Sequence, residues 1–183
     1  MLNFPKELLS NCTIKTHDSL DGTTNYAIYS DCQKYRYILH RTWNETKDPL
    51  VMIMLNPSTA TEVQNDPTVE RCHRRALEHG FGGMIVLNIF AYRATDPKVM
   101  RAQDDPVGPY NDQFISDVIK SYHSSDNVVC GWGTHGEFMN RHDHVMNLFL
   151  NQNIEPLGFK WTKNGYPQHP LYIAYKELPK ARA

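Results

Sequence analysis

The sequence predicts a three-layer αβα sandwich built on a mostly parallel central sheet, with a β hairpin at its N-terminal margin. Three observations carry this. Four short runs, Leu50 to Leu55, Met84 to Leu87, Val128 to Cys130 and Leu171 to Ala174, are apolar without alternation, as strands covered on both faces are. Helical spacing fills the intervals between them. Before residue 46 the period is two instead: Tyr26 and Ile28, then Tyr35, Tyr37 and Leu39, with a turn from Ser30 to Lys34 between. Alternation of strand and helix favours parallel strands with crossovers on both faces. The chain is therefore expected to be one domain over residues 1–183, with 1–46 a β extension and 50–175 the core.

The helices are read from their ends. Asp66 is an N-cap with Pro67 at the first helical position, Val69, Cys72, Ala76 and Leu77 share a face, and Gly80 closes the helix. Asn111 or Asp112 caps a second, whose stripe is Phe114, Ile115, Val118, Ile119 and Tyr122. A third runs from about Glu137 to Leu150 on Met139, His142, Val145, Met146 and Phe149.

Composition narrows the function classes. Nineteen Lys and Arg against 20 Asp and Glu give a formal charge of −1 over 183 residues, which excludes a polybasic binder but leaves room for a local cationic stripe. No run approaches the roughly 18 apolar residues of a membrane span. Pro5, Lys6 and Glu7 interrupt the N-terminal apolar stretch, so no signal peptide is expected. The cysteines at 12, 32, 72 and 130 form no CxxC pair, which favours reduced thiols in a cytoplasmic protein over a metal cluster. No phosphate-binding GxxxxGK[ST] loop is present. A monomer without metal, cofactor or membrane attachment is the expectation.

In open α/β sheets ligands bind beyond the carboxyl ends of the strands. Reading past each run gives Asn56-Pro57-Ser58-Thr59, then Asn88-Ile89-Phe90-Ala91-Tyr92, then Gly131-Trp132-Gly133-Thr134-His135, while His169-Pro170 precedes the last run. Each residue has a plain alternative. Asn before Pro is common in turns, a buried Asn88 can satisfy loop backbone, His169 can sit in a surface loop, and Trp132 can be a core aromatic. Their conjunction at one sheet edge favours a site.

The segment from Met54 to Tyr172, with MLNPSTA, NDPTVERC, VLNIFAYRATDP, GPYND, WGTHG and HPLY, and with YRYILHRTW upstream, resembles an uncharacterised bacterial and phage family. More remotely, the order of its motifs is similar to that of the uracil-DNA glycosylase superfamily. Leu55-Asn56-Pro57, Val86-Leu87-Asn88, Trp132-Gly133 and His169-Pro170 stand where that superfamily has its first motif, a strand ending in Asn, a W-G strand end and a final H-P motif. The helix and strand of NDQFISDVIK and VVCGWG match the approach to its W-G.

The resemblance implies cleavage of a damaged or modified pyrimidine from DNA. Asn56 would orient the water and His169 would donate to the departing base. Asn88 would read the base edge, since an amide donates and accepts at once, and Phe90, Tyr92 or Trp132 would bind the flipped base. Ser58, Thr134, Lys160, Lys163 and Lys176 would hold the DNA backbone. The basic stretch after Gly158, with Lys180 and Arg182 besides, faces a single acid after that point, Glu177. Three other readings stay open: an enzyme of this fold acting on a free nucleoside or nucleotide, a nucleic-acid-binding module without catalysis, and a metal-dependent hydrolase using His135, His142 and His144 with Asp143. Arg71, Arg74 and Arg75 are read as a solvated helix face, with phosphate contact the alternative.

Overall fold

The chain folds as an α/β protein around one eight-stranded mixed sheet; this computed structural model describes residues 2–122 and 127–182. Strands β1 (Cys12–Asp18), β2 (Thr24–Ser30) and β3 (Arg36–Thr42) form an antiparallel meander. Strands β4 (Pro49–Met54), β5 (Gly83–Asn88), β6 (Val128–Cys130) and β7 (Leu157–Gly158) run parallel in the spatial order β5-β4-β6-β7. β3 closes the β5 edge antiparallel, and β8 (Lys180–Ala181) closes the β7 edge antiparallel. Four of the seven pairings are thus antiparallel, which corrects the expectation of a mostly parallel sheet. The reason is that Tyr37, Ile38 and Leu39 are fully buried. A strand covered on both faces belongs inside a sheet, so the predicted hairpin becomes part of its body.

Alternation along the strands divides the core. Val51, Ile53, Ile85, Leu87 and Val128 face α4 (Asn111–Ser121) and α5 (Arg141–Leu150), and Leu50, Met52, Met84 and Val86 face α2 (Pro67–Glu78). Burying Phe114, Ile115, Val118 and Ile119 of α4 completely contributes about 1.5–3 kcal/mol per side chain. The short α1 (Lys6–Leu9) adds Leu8 to the same cluster and the short α3 (Pro97–Arg101) adds Met100.

The cap reading holds for α2. Asp66 accepts from Val69 N at 2.9 Å, Pro67 opens the helix, and Gly80 beyond its end has φ 77°. Leu77, however, is half exposed. For α4 the cap reading fails: Tyr110 occupies that position, and Asn111 turns inward to give its amide to Asn88 O at 2.8 Å. The third helix starts at Arg141, because Met139 and Asn140 adopt left-handed φ of 55° and 52° and break it from the 3-10 turn Thr134–Asn140. Residues 171–174 are no strand. Pro170–Tyr172 form a 3-10 turn, and α2 takes the carbonyls a strand would have paired: Arg71 reaches Pro170 O and Ile173 O, and Arg75 reaches Ile173 O and Ala174 O. Arg71 and Arg75 are therefore committed to backbone carbonyls, which corrects the reading of a solvated helix face for both. No helix is long and apolar enough to cross a membrane among the described residues.

Candidate functional site

The parallel set has a topological switch between β4 and β6, since the crossover from β4 goes to β5 on one side and the chain then returns to β6 on the other. Such a switch leaves a crevice beyond the strand ends. A cleft of 530 Å³ lies there, lined by Asn56 after β4, Trp132 and Thr134 after β6, Ser58, and His169. Beneath it is a recess of 40 Å³ that shares Asn56, Ser58, Thr68 and His169 with the cleft and adds Asn88, Arg36 and Asp66.

Asn56 has a defined orientation. Its Nδ2 donates to Ala94 O at 2.7 Å and Pro57 O at 3.2 Å, so the amide cannot be flipped without opposing oxygen to oxygen. Oδ1 is the end left for a ligand or water. Asn88, last residue of β5, is 1% exposed, and its Oδ1 has no partner among the described residues. A buried amide oxygen left unpaired costs about 1–3 kcal/mol, which a ligand or water in the recess would offset.

His169 is half buried and caps its own turn, with Nδ1 accepting from Leu171 N at 3.4 Å. An accepting Nδ1 places the proton of the neutral ring on Nε2. Burial pushes the pKa of His169 below the ordinary histidine value, with Asp66 opposing and His135 assisting. The lowered pKa favours the neutral imidazole, whose Nε2–H is a hydrogen-bond donor. Trp132 is a rigid wall: it is 1% exposed, its Nε1 donates to His142 Nδ1 at 3.2 Å, and a Cβ on Gly136 would collide with its ring.

The other expected residues distribute as follows. Phe90 lies in the core, tilted against Phe138 at 5.7 Å, and does not line the cleft. The chain bends at Ile89 and Phe90, whose amides donate to successive carbonyls, Met54 O at 2.8 Å and Leu55 O at 3.0 Å, so strand alternation has ended and Phe90 joins Ile89 in the cluster beneath α4 and α5. Tyr92 packs edge-on to Tyr35 and lines a neighbouring groove with Ser58. Lys160 and Lys163 line a groove on the opposite flank, while Lys176 is exposed and lines neither. His135, His142 and His144 diverge: His135 meets Arg101 at 2.9 Å, His142 meets Trp132, and His144 meets Asp112 at 2.9 Å. No three His, Cys, Asp or Glu side chains gather as metal ligands among the described residues.

Sequence reasoning missed Arg36, Gln168 and Tyr172. Arg36 is 1% exposed, gives one guanidinium nitrogen to Ala60 O at 2.6 Å and leaves Nε unpaired among the described residues. Burial pushes its pKa down to about 10. Its signal was present in YRYILH, an arginine inside an otherwise buried run. Over residues 36–171 the chain matches the model of a family described as "Protein of unknown function (DUF1643)". The chain belongs to this family. The DUF1643 match begins at Arg36 and ends two residues past His169, so it takes in both walls of the recess and all of the cleft except Tyr172. No curated protein and no solved structure matches the chain.

Proposed function

We propose that the chain is an N-glycosidic hydrolase that takes a damaged or modified pyrimidine of DNA into the cleft, on a fold similar to that of the uracil-DNA glycosylases. One observation carries this reading: Asn56, Asn88 and His169 line one recess, and Asn56 Oδ1, Asn88 Oδ1 and His169 Nε2 have no hydrogen-bond partner among the described residues. Rupture of a glycosidic bond sends its electron pair to the base, leaves the sugar cationic, and needs water on the sugar's far face. Water adds to C1′ and loses a proton to solvent, and the released base anion takes a proton from solvent, giving the sugar hemiacetal and the neutral base. Asn56 Oδ1 accepts from that water and orients it. The neutral His169 donates to the base oxygen as negative charge accumulates, an interaction that strengthens along the reaction. Asn88 reads the base edge from the recess.

The near-neutral charge of −1 favours a second reading, a free nucleoside as substrate. One experiment tests both. The protein is incubated with oligonucleotides carrying a panel of modified pyrimidines, and abasic sites are detected by alkaline cleavage, beside an arm of free nucleosides read by chromatography. Abasic sites are the expected result. Base release from free nucleosides alone supports the second reading, and no release in either arm overturns hydrolysis.

A further inference from the structure

The cleft is the middle of three connected hollows. On one flank it shares Ser58, Ala94 and Thr95 with a groove of 460 Å³ that carries Lys34, Tyr92 and Arg93. On the other it shares Thr162 with a groove of 620 Å³ that carries Lys163, Lys180, Arg182 and Trp161 beside Lys160. Among the described residues lining the three hollows there are six Lys and Arg and no Asp or Glu. In a chain with 20 acids among 183 residues, an even spread would put about three there, so the potential along this path is positive although the molecule is not.

Three of the six cations, Arg93, Lys160 and Arg182, have side-chain contacts within the protein. Arg93 lies over the Tyr29 ring at 5.0 Å and donates to Gln33 O at 3.2 Å, which ties it to the β2–β3 turn. The Arg182 guanidinium occupies the space a side chain on Gly165 would fill. Glu177 reaches Lys160 at 3.8 Å, and Lys163, Lys180 and Arg182 have no ion pair among the described residues. Each hollow also offers an aromatic ring. Tyr92 and Trp161 are partly exposed in the flanking grooves, and Tyr172 is 83% exposed at the cleft rim.

A groove of cations interleaved with accessible rings fits an unpaired strand, whose bases have free faces to stack while its phosphates meet the cations. A duplex hides those faces and would leave Tyr92 and Trp161 unused. We propose that a single-stranded nucleic acid threads from the Lys34–Arg93 groove, through the cleft, to the Lys163–Arg182 groove. This deepens the proposed function and rests on its nucleic-acid form; what it adds is the second cationic flank, Lys34 from the β2–β3 turn with Arg93 from beyond β5, and the strandedness of the substrate.

The test is fluorescence anisotropy of the full chain with labelled oligothymidine, oligouridine and a mixed-sequence duplex of equal length, across a salt series. Either single strand should bind about tenfold or more tighter than the duplex. Lys34→Ala and Lys163→Ala, both at exposed positions, should each weaken binding and lower the salt slope by about 0.7 for each phosphate no longer neutralised. Intrinsic tryptophan fluorescence should be quenched by the strand, and Trp161→Phe should remove most of that quench. An effect of Lys163→Ala without one of Lys34→Ala overturns the threading and leaves the nucleic-acid reading standing. A duplex bound as tightly as the single strands overturns the strandedness. Absence of binding to every oligonucleotide overturns both this proposal and the DNA form of the function.

Discussion

Asn56 gives both amide hydrogens to carbonyl oxygens, Ala94 O at 2.7 Å and Pro57 O at 3.2 Å. Asn56→Asp would set a carboxylate oxygen against both, so it should cost about 2 kcal/mol in chemical denaturation and abolish turnover. His169 makes the opposite case. His169→Ala should keep most ligand affinity and lose turnover, because the donated hydrogen bond matters most where charge develops; full activity in that variant would remove its role. The lowered pKa of His169 also predicts that the acidic limb of the rate profile falls below about 6.5, the ordinary histidine value. His40 gives a stability prediction of definite sign. It stacks on Tyr26 at 4.4 Å, and burial pushes its pKa down to about 4. Between that value and about 6.5 the unfolded chain binds a proton that the folded chain refuses. The stabilisation is complete above about 6.5 and falls by about 3 kcal/mol as pH drops toward 4. His73, His142 and His169 shift in the same direction. In His40→Phe, which keeps the stacking, urea titrations at successive pH values should show a shallower acid decline.

At the scale of elements, the strap carrying His169 is held by α2 rather than by a strand. Arg75, fully buried, donates to the carbonyls of Ile173, Ala174, Tyr175 and Glu177, and Arg71 adds Pro170 and Ile173. Arg75→Met should therefore destabilise by about 3 kcal/mol, and hydrogen exchange should rise first in residues 170–177. Restored protection in Arg75→Lys would argue that one charge suffices. This strap also marks where the sequence stopped being legible. Leu171 to Ala174 is as apolar as a short strand, and nothing local says that arginines nearly 100 residues upstream will take its carbonyls. β4, β5 and β6 were legible because a run apolar on both faces has few other fates, and α2 because Asp66-Pro67 and Gly80 are local chemistry. The candidate site was legible in part for the same reason: Asn56 and Trp132 follow a strand and Asn88 ends one. Phe90 was misplaced because the chain bends after Asn88: once the two-residue alternation ends, Phe90 turns into the core beside Ile89.

For the whole molecule, the meander and the parallel strands share both hydrophobic layers. Tyr26, Ile28 and Ile38 lie in one cluster with Ile53 and Phe114, and Ala27, Tyr29 and Leu39 lie in the other with Met52 and Cys72. Arg36 of β3 also forms part of the recess. A chain starting at residue 46 would strip β3 from β5 and expose both layers, so it should show no cooperative unfolding transition in a thermal melt. A sharp transition in that fragment would make 1–46 an appendage after all.

The meander leaves β1 as the long free rim of the sheet, seven residues ending an order that begins β1-β2-β3. A strand edge of that length without a second neighbour among the described residues is a template for uncontrolled polymerisation. Its sequence, CTIKTHD, places Lys15 and Asp18 in solvent and leaves Ile14 as its one exposed large apolar side chain. Charge here acts as a gatekeeper against fibre growth. Replacing Lys15 and His17 together by Val should leave the cleft untouched and turn a clear solution into one that scatters light.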